Sequence, residues 1–151
     1  MKTFKTATLI FVTFLVTNNL FSADVPNAKK DLRKQAEFFY AAWSANKPES
    51  VWDLTNPAKK IGVNYEKYIA DLRVFFTNTK LVEFKIKGVK ESEDFRGLAI
   101  VKTNLVLQVR NYNKDEGSKK ISMKDPTRWI RDEDGQWFLD GPISYHEVLS
   151  R

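Results

Sequence analysis

Residues 127–139 read TRWIRDEDGQWFL, and this stretch predicts a β-hairpin near the C-terminal end of the chain. An acidic run begins at Asp132 and is followed by Gly135. Glycine readily adopts the positive φ angle that a tight turn needs. Large apolar side chains, Trp129 before the run and Trp137 after it, are typical of strands that pack on a core. The stretch therefore predicts that the fold closes with two antiparallel strands.

A long strand is predicted upstream of this hairpin, over residues 97–111. Alternate residues of a strand point to opposite faces of a sheet, so this strand has an inner and an outer set. We expect the inner set to face the core: Ala99, Val101, Thr103, Leu105, Leu107 and Val109. The outer set mixes apolar with polar side chains: Leu98, Ile100, Lys102, Asn104, Val106, Gln108 and Arg110.

An earlier strand shows the same alternation over residues 82–87. We expect the buried set to be Val82, Phe84 and Ile86. The exposed set is then Glu83, Lys85 and Lys87. Gly88 interrupts the pattern and predicts a bulge. Pro126 lacks a backbone donor, so it predicts a bulge or an edge in the strand before the closing turn.

Helical spacing replaces strand alternation in the first half of the chain. A first helix is predicted over residues 27–46, with one apolar stripe made of Leu32, Ala36, Phe39 and Trp43. Pro48 opens a second, short helix, which ends before Pro57. Asn64 caps a third helix, whose inward face is Tyr65, Tyr68, Ile69, Leu72, Phe75 and Phe76.

Helices followed by antiparallel strands predict an α+β fold, with three N-terminal helices packed on a strongly curved antiparallel sheet of about four strands. This order, and above all the closing pattern of tryptophan, Asp134-Gly135 and Trp137-Phe138-Leu139, resembles the nuclear transport factor 2-like superfamily. The resemblance covers about residues 29–141. It implies the cystatin-like cone fold shared by ketosteroid isomerases and polyketide cyclases. Members of that superfamily include enzymes, ligand binders and interaction modules, so the fold alone does not decide function.

The N-terminus predicts a cleaved signal peptide over residues 1–23. Lys2 and Lys5 precede an apolar run, and small residues follow it at Ser22 and Ala23. The alternative is a membrane anchor, but a spanning helix needs about 20 mostly apolar residues and polar residues interrupt this run at 17–19. The expected product is an exported protein, periplasmic or secreted, with one domain over residues 24–151 and no stable membrane anchor.

Composition narrows the class of partner. The chain has no cysteine, so no disulfide supports the fold, and its formal net charge is +6. Basic residues are spread along the sequence and mixed with acids, which favours a solvated surface over a nucleic-acid site. We therefore expect no nucleic-acid partner.

A search for reactive motifs gives little. The single histidine, His146, lies in the tail beside Glu147 and has no second histidine at metal spacing. Glycine-rich phosphate loops, calcium loops and nucleophile turns are absent from the sequence. The expectation is no cofactor and no metal.

One catalytic alternative remains open. Enzymes of this fold place an acid in an apolar pocket opposite a hydroxyl donor. Asp53, between Trp52 and Leu54, is the acid predicted to point inward, and Tyr40 and Tyr68 are the candidate donors. Glu83 is discounted because strand alternation places it in solvent. The competing interpretation is that Asp53 faces solvent and that the tyrosines only pack.

The aromatic residues allow either a ligand pocket or a filled core. The candidate pocket residues are Trp43, Trp52, Tyr68, Trp129 and Trp137. With few titratable groups in the predicted interior, we expect a non-catalytic module that binds a small apolar ligand or a protein partner. The mixed outer face of the long strand predicts a homodimer or an exported protein partner at that face. The alternative is an isomerase- or dehydratase-like enzyme.

Overall fold

Four helices precede four strands in the computed structural model, which describes residues 25–110 and 117–141. The elements are α1 Val25–Ser44, α2 Pro48–Leu54, α3 Pro57–Lys60, α4 Tyr65–Asn78, β1 Thr79–Glu91, β2 Leu98–Arg110, β3 Ser118–Arg131 and β4 Trp137–Leu139. The strands form one antiparallel sheet in the order β1-β2-β3-β4, and the helices pack on one face of it. The predicted α+β fold is confirmed.

The prediction of three helices was wrong by one. Pro57 ends the run that contains α2, as expected, but it also opens the short helix α3 as a first-turn residue. The Asn56 side chain caps this turn, since its Oδ1 accepts a hydrogen bond from Ala58 N at 3.0 Å. Asn64 caps α4 in the same way through Lys67 N at 2.9 Å, as predicted. None of the described helices is long and apolar enough to cross a membrane.

The two faces of β2 are those that the alternation predicts. Ala99, Val101 and Leu107 are fully buried, and Leu105 is 1% exposed. Lys102, Asn104 and Arg110 are exposed, and Gln108 is half-buried on the same outer face. The register of the long strand is therefore confirmed.

The prediction for β1 was wrong at Val82, which is 44% exposed. The register of β1 on β2 shifts between Leu81 and Glu83, so Val82 is an extra residue at a bulge. Leu81, Phe84 and Ile86 form the inner face instead. A second shift between Ile86 and Gly88 confirms the bulge predicted there.

Pro126 lies at an edge and not at a bulge. It pairs with Lys102 of β2 without any shift of register. β4 pairs with β3 only at Trp129–Arg131, so along the rest of β3 no strand of the described residues lies on its other side. The missing backbone donor of Pro126 therefore disrupts no ladder there.

The turns that close the sheet depend on two glycines. Gly135 has φ 86°, as the acidic turn requires. Gly97 has φ 82° and lies directly against β3, where Arg131 N donates to Gly97 O at 2.7 Å. A Cβ atom at Gly97 would lie 3.3 Å from the Arg131 carbonyl oxygen. Both the φ angle and the space therefore favour glycine at this position.

Replacing Gly97 with alanine is expected to lower the free energy of unfolding by about 1–2 kcal/mol, because a side chain at positive φ is strained. Urea denaturation followed by circular dichroism measures the change. Gly88→Ala is the matched control, since a Cβ atom there meets nothing within 4 Å and its φ is not positive. An equal loss in both variants would contradict the explanation.

Three sequence predictions concern residues outside the described ranges. They are the signal peptide over residues 1–23, the hairpin loop that joins β2 to β3, and the position of His146. Of that loop, the structure describes the last two residues.

Candidate functional site

A polar pair lies inside the cone, between helix α1 and strand β3. Tyr40 of α1 is fully buried, and its hydroxyl donates a hydrogen bond to Asp125 Oδ2 at 2.8 Å. The Tyr40 ring stacks on Phe84 of β1 with centroids 5.3 Å apart. The carboxyl group and the hydroxyl group are therefore held together in largely apolar surroundings.

Two threonines extend this pair along the inner face of the sheet. Thr103 of β2 lies opposite Asp125 in the β2–β3 register and is 1% exposed. Its Oγ1 has no hydrogen-bond partner among the described residues. Thr127 accepts a hydrogen bond from Trp129 Nε1 at 3.0 Å. The inner face thus carries a short polar row inside an aromatic core.

Burial dominates the protonation of this pair. Burial raises the pKa of Asp125 above its ordinary value, although the hydrogen bond from Tyr40 acts in the opposite direction. Burial also raises the pKa of Tyr40 far above 10, and the negative charge of Asp125 raises it further. Tyr40 is therefore a neutral donor at physiological pH, and its hydroxyl is already engaged by Asp125.

Asp125 was missed by the sequence argument, although a signal for it existed. Residues two apart on a strand share a face. Counting back from the inward Trp129 gives Thr127 and then Asp125, on the same side of β3. This count requires that the Trp129 side chain is known to point inward. The sequence alone does not establish that direction, because a bulge at Pro126 would change it.

The prediction that Asp53 points inward was wrong. Its side chain is exposed on α2, while Val51 and Leu54 form the buried side of that short helix. Tyr40 is bonded to Asp125 and not to Asp53. Tyr68 is half-buried, and burial raises its pKa. The structure therefore does not bring Asp53 together with either tyrosine.

The five predicted pocket aromatics fall into two groups, and the first belongs to the core. Trp43, Trp129 and Trp137 are at most 4% exposed. Phe39 lies between Trp43 and Trp129, with both ring centroids 6.4 Å from its own. Trp43 Nε1 donates to Thr79 O at 2.9 Å, which satisfies its one polar atom. These rings fill the interior of the cone.

The second group lies at the surface of the helices. Trp52 of α2 contacts Tyr65 and Tyr68 of α4 at centroid distances of 5.2 and 5.0 Å. Lys60 Nζ stands 5.2 Å from the Trp52 ring centroid. Tyr65 is 45% exposed, so this cluster joins α2 to α4 and does not enclose a cavity with the core tryptophans.

An open depression of about 400 Å³ lies on the other side of the sheet. Its rim consists of outward side chains of β1, β2 and β3: Glu83, Lys85, Asn104, Val106, Ser122 and Lys124. Leu105 and Met123 of the inner face contribute to its floor. The depression therefore faces away from the helices.

Cross-strand register gives this outer face a regular arrangement of charge. Lys85, Asn104 and Lys124 are paired in one row across β1, β2 and β3. Lys80, Gln108 and Lys120 form another such row, toward the start of β1. In both rows, lysines of β1 and β3 flank a polar residue of β2.

The lysines of this face form no ion pairs among the described residues. Lys80, Lys85, Lys102, Lys120 and Lys124 are exposed, and none of them forms an ion pair with another described residue. We call these five residues the basic face. Glu83 is the acid of β1 that lies among them, opposite Val106.

Neither site supplies a group of metal ligands. No cluster of three or more histidine, cysteine, aspartate or glutamate side chains that could hold a metal ion occurs in residues 25–110 and 117–141. The described residues therefore provide a buried carboxyl–hydroxyl pair and a cationic surface.

Comparison with known proteins identifies the fold. No protein-family model matches the sequence, and no curated protein matches it. The structure is similar to a nuclear transport factor 2-like dehydratase from Streptomyces avermitilis, with a TM-score of 0.51 and 14% identity over 79% of this chain and 99% of that chain. It is also similar to a protein with a cystatin-like fold from Caulobacter vibrioides, with a TM-score of 0.50 and 15% identity over 83% and 99% of the two chains.

A third similar structure is a SEC-C motif protein from Rhodopseudomonas palustris, with a TM-score of 0.51 and 13% identity over 68% of this chain and 69% of that chain. Identities this low show a common fold and nothing finer. The chain has the nuclear transport factor 2-like, cystatin-like cone fold that the sequence predicts.

Proposed function

We propose that this chain is an exported, non-catalytic module that binds a protein partner on the outer face of its sheet. The observation that carries the proposal is the placement of its aromatic side chains. Trp43, Trp129 and Trp137 fill the cone, where a ligand binder or an enzyme of this fold would hold its substrate. The open depression lies on the opposite face.

The outer face has the mixed character of a binding surface. Val106 and Ile100 are half-buried between polar and charged neighbours on β1 and β3. Interfaces of transient complexes combine apolar residues with a polar rim in this way. The depression at Val106 offers a place for an anchoring side chain of the partner.

A second candidate function uses the inner polar row. Tyr40 and Asp125 resemble an acid–hydroxyl pair in an apolar site, which is an arrangement that can bind or protonate a small ligand. The pair ranks second because the Tyr40 hydroxyl is already bonded to Asp125 and Tyr40 is fully buried. A ligand would have to displace this bond.

Site-specific photo-crosslinking tests the first proposal. A photoreactive phenylalanine analogue replaces Asn104, which is exposed at the rim of the depression. The full-length chain is expressed in its source organism, and cells are irradiated. We expect a protein adduct from position 104. The control places the same analogue at Ala58, which is exposed on α3. Adducts at 58 and none at 104 would overturn the proposal.

A further inference from the structure

The arrangement of lysines on the outer face restricts what can bind there. The basic face has two flanks, Lys80 and Lys85 on β1 and Lys120 and Lys124 on β3. Strand β2 runs between them. Neighbouring strands are about 4.8 Å apart, so the two flanks are separated by about 10 Å. An α-helix with its side chains is about 10–12 Å across. A helix laid along β2 therefore brings both of its sides within reach of lysines.

The middle of the face suits the apolar stripe of such a helix. Val106 and Ile100 lie on the outer side of β2 with Asn104 and Lys102 between them, and Leu98 lies beyond Ile100, opposite Ile130 of β3. All three β2 residues are half-buried and have solvent above them. The segment from Gln108 to Ile100 is about 27 Å long at the usual rise of a strand, which equals about 18 residues of helix.

Charge disfavours a second copy of this chain as the occupant. A two-fold dimer pairs the same surface of both subunits, so lysines would face lysines. Like charges brought together without partners oppose association. The five lysines of the basic face have Glu83 as the acid among them and form no ion pair with the described residues. The homodimer alternative at this face is therefore disfavoured.

A flat anionic membrane suits the face less well than a helix. The turn that joins β1 to β2 carries the exposed acids Glu93 and Asp94 at one end of the sheet, where they would repel anionic lipid. A lipid surface would contact both ends together. A helix that lies along β2 from Gln108 to Ile100 ends before this turn and contacts the lysines. The depression at Val106 is also a better fit for a protruding side chain than for a flat layer of lipid headgroups.

We propose that the partner bound on the outer sheet face presents an acidic amphipathic helix, which lies along β2 with its apolar side on Val106 and Ile100 and its carboxylates on the lysines of β1 and β3. This inference rests on the proposed function and adds the chemistry of the partner. Ion pairs at such a rim steer association and fix orientation, so binding should weaken with salt.

The test uses a fluorescein-labelled peptide of about 18 residues, with leucines on one helical face and glutamates on both flanks. A second peptide has glutamine at every glutamate position. Binding to the full-length chain is measured by fluorescence anisotropy. We expect the glutamate peptide to bind and the glutamine peptide to bind at least about tenfold more weakly. Raising sodium chloride from about 50 to about 300 mM should weaken the glutamate peptide only.

Lys85→Gln/Lys124→Gln is the test variant, and its expected Kd for the glutamate peptide is at least about tenfold higher than that of the wild type. Lys34→Gln/Lys59→Gln is the matched control, because it removes the same charge from exposed positions on α1 and α3. All four positions are exposed, so circular dichroism should show unchanged folding in both variants. An equal loss in the control would overturn the inference, since it would show attraction to net charge alone.

Other occupants give different results. Tighter binding to phosphatidylglycerol vesicles or to a DNA duplex than to the glutamate peptide would overturn the helix proposal, as would an adduct at position 104 that consists of two copies of this chain. If position 104 crosslinks to another protein while the glutamate peptide fails to bind, the acidic helix is wrong and the proposed function stands. If position 104 gives no adduct, the proposed function itself fails.

Discussion

Replacing Trp129 with alanine is expected to lower the free energy of unfolding by about 3–5 kcal/mol, the usual cost of removing a large buried aromatic side chain. Trp129 is fully buried between the sheet and α1, where its ring meets Phe39 edge-on. The substitution also removes the hydrogen bond from Nε1 to Thr127. Urea denaturation, followed by circular dichroism, measures the loss from the shift of the midpoint.

The matched control is Trp52→Ala, because it removes the same side chain from a half-buried position at the surface. Its contacts are with Tyr65, Tyr68 and Lys60, outside the filled cone. We expect about half of the Trp129→Ala loss or less, since the ring is only partly removed from water. Equal losses in the two variants would contradict the division of the aromatics into core and surface groups.

Tyr40→Phe is expected to lower the free energy of unfolding by about 1–3 kcal/mol at neutral pH, because the partly buried Asp125 carboxylate loses its donor. The ring, its stacking on Phe84 and the packed volume are retained, so the change isolates one hydroxyl. The double variant Tyr40→Phe/Asp125→Asn is the control. Its loss should be smaller than the sum of the two single losses, because each single change leaves part of a coupled pair.

The pH dependence of this pair has a definite sign. Burial raises the pKa of Asp125 above 3.8, so the folded state holds its proton more tightly than the unfolded state. The stability that this group contributes is fully present below pH 3.8 and is lost as the pH rises through the raised pKa. Asp125→Asn should remove that slope. The Tyr40→Phe loss should shrink below this window, where the carboxyl group is protonated in both states.

Tyr40 gives a second, alkaline window. Burial raises its pKa above 10, so wild-type stability should fall as the pH rises beyond 10, where the unfolded tyrosine ionises. Tyr40→Phe lacks this contribution. A stability profile of the wild type that rises between pH 4 and neutrality in step with Asp125, or a Tyr40→Phe loss that is constant with pH, would contradict the pair as described.

The parts of the fold that sequence could predict are those where one pattern runs without interruption. The alternation of β2 from Ala99 to Leu107 has no bulge, so its two faces were predicted correctly. In β1, one extra residue at Val82 reverses every side chain that precedes it, and no local signal marks that residue. Pro57 carries both a stop and a start signal, so the short helix α3 was missed.

The site was harder to predict because it depends on which strands are neighbours. Asp53 lies on a helix of 7 residues, where apolar neighbours do not fix the direction of a side chain. Asp125 meets Tyr40 across 85 residues of sequence. The lysines of the basic face are scattered along the chain and look like a solvated surface. Only the register of β1, β2 and β3 places Lys85 and Lys124 in one row.

We propose that the partner binds on the outer sheet face and not in the cone. An ¹H–¹⁵N correlation spectrum of the labelled chain, recorded during titration with the glutamate peptide, tests it most directly. We expect shifts at the amides of Lys85, Asn104 and Lys124, with the indole N–H signals of Trp43 and Trp129 unmoved. Both indoles are buried inside the cone and hydrogen-bonded there. Shifts of these indoles and of the Tyr40 amide, with an unchanged outer face, would contradict the account.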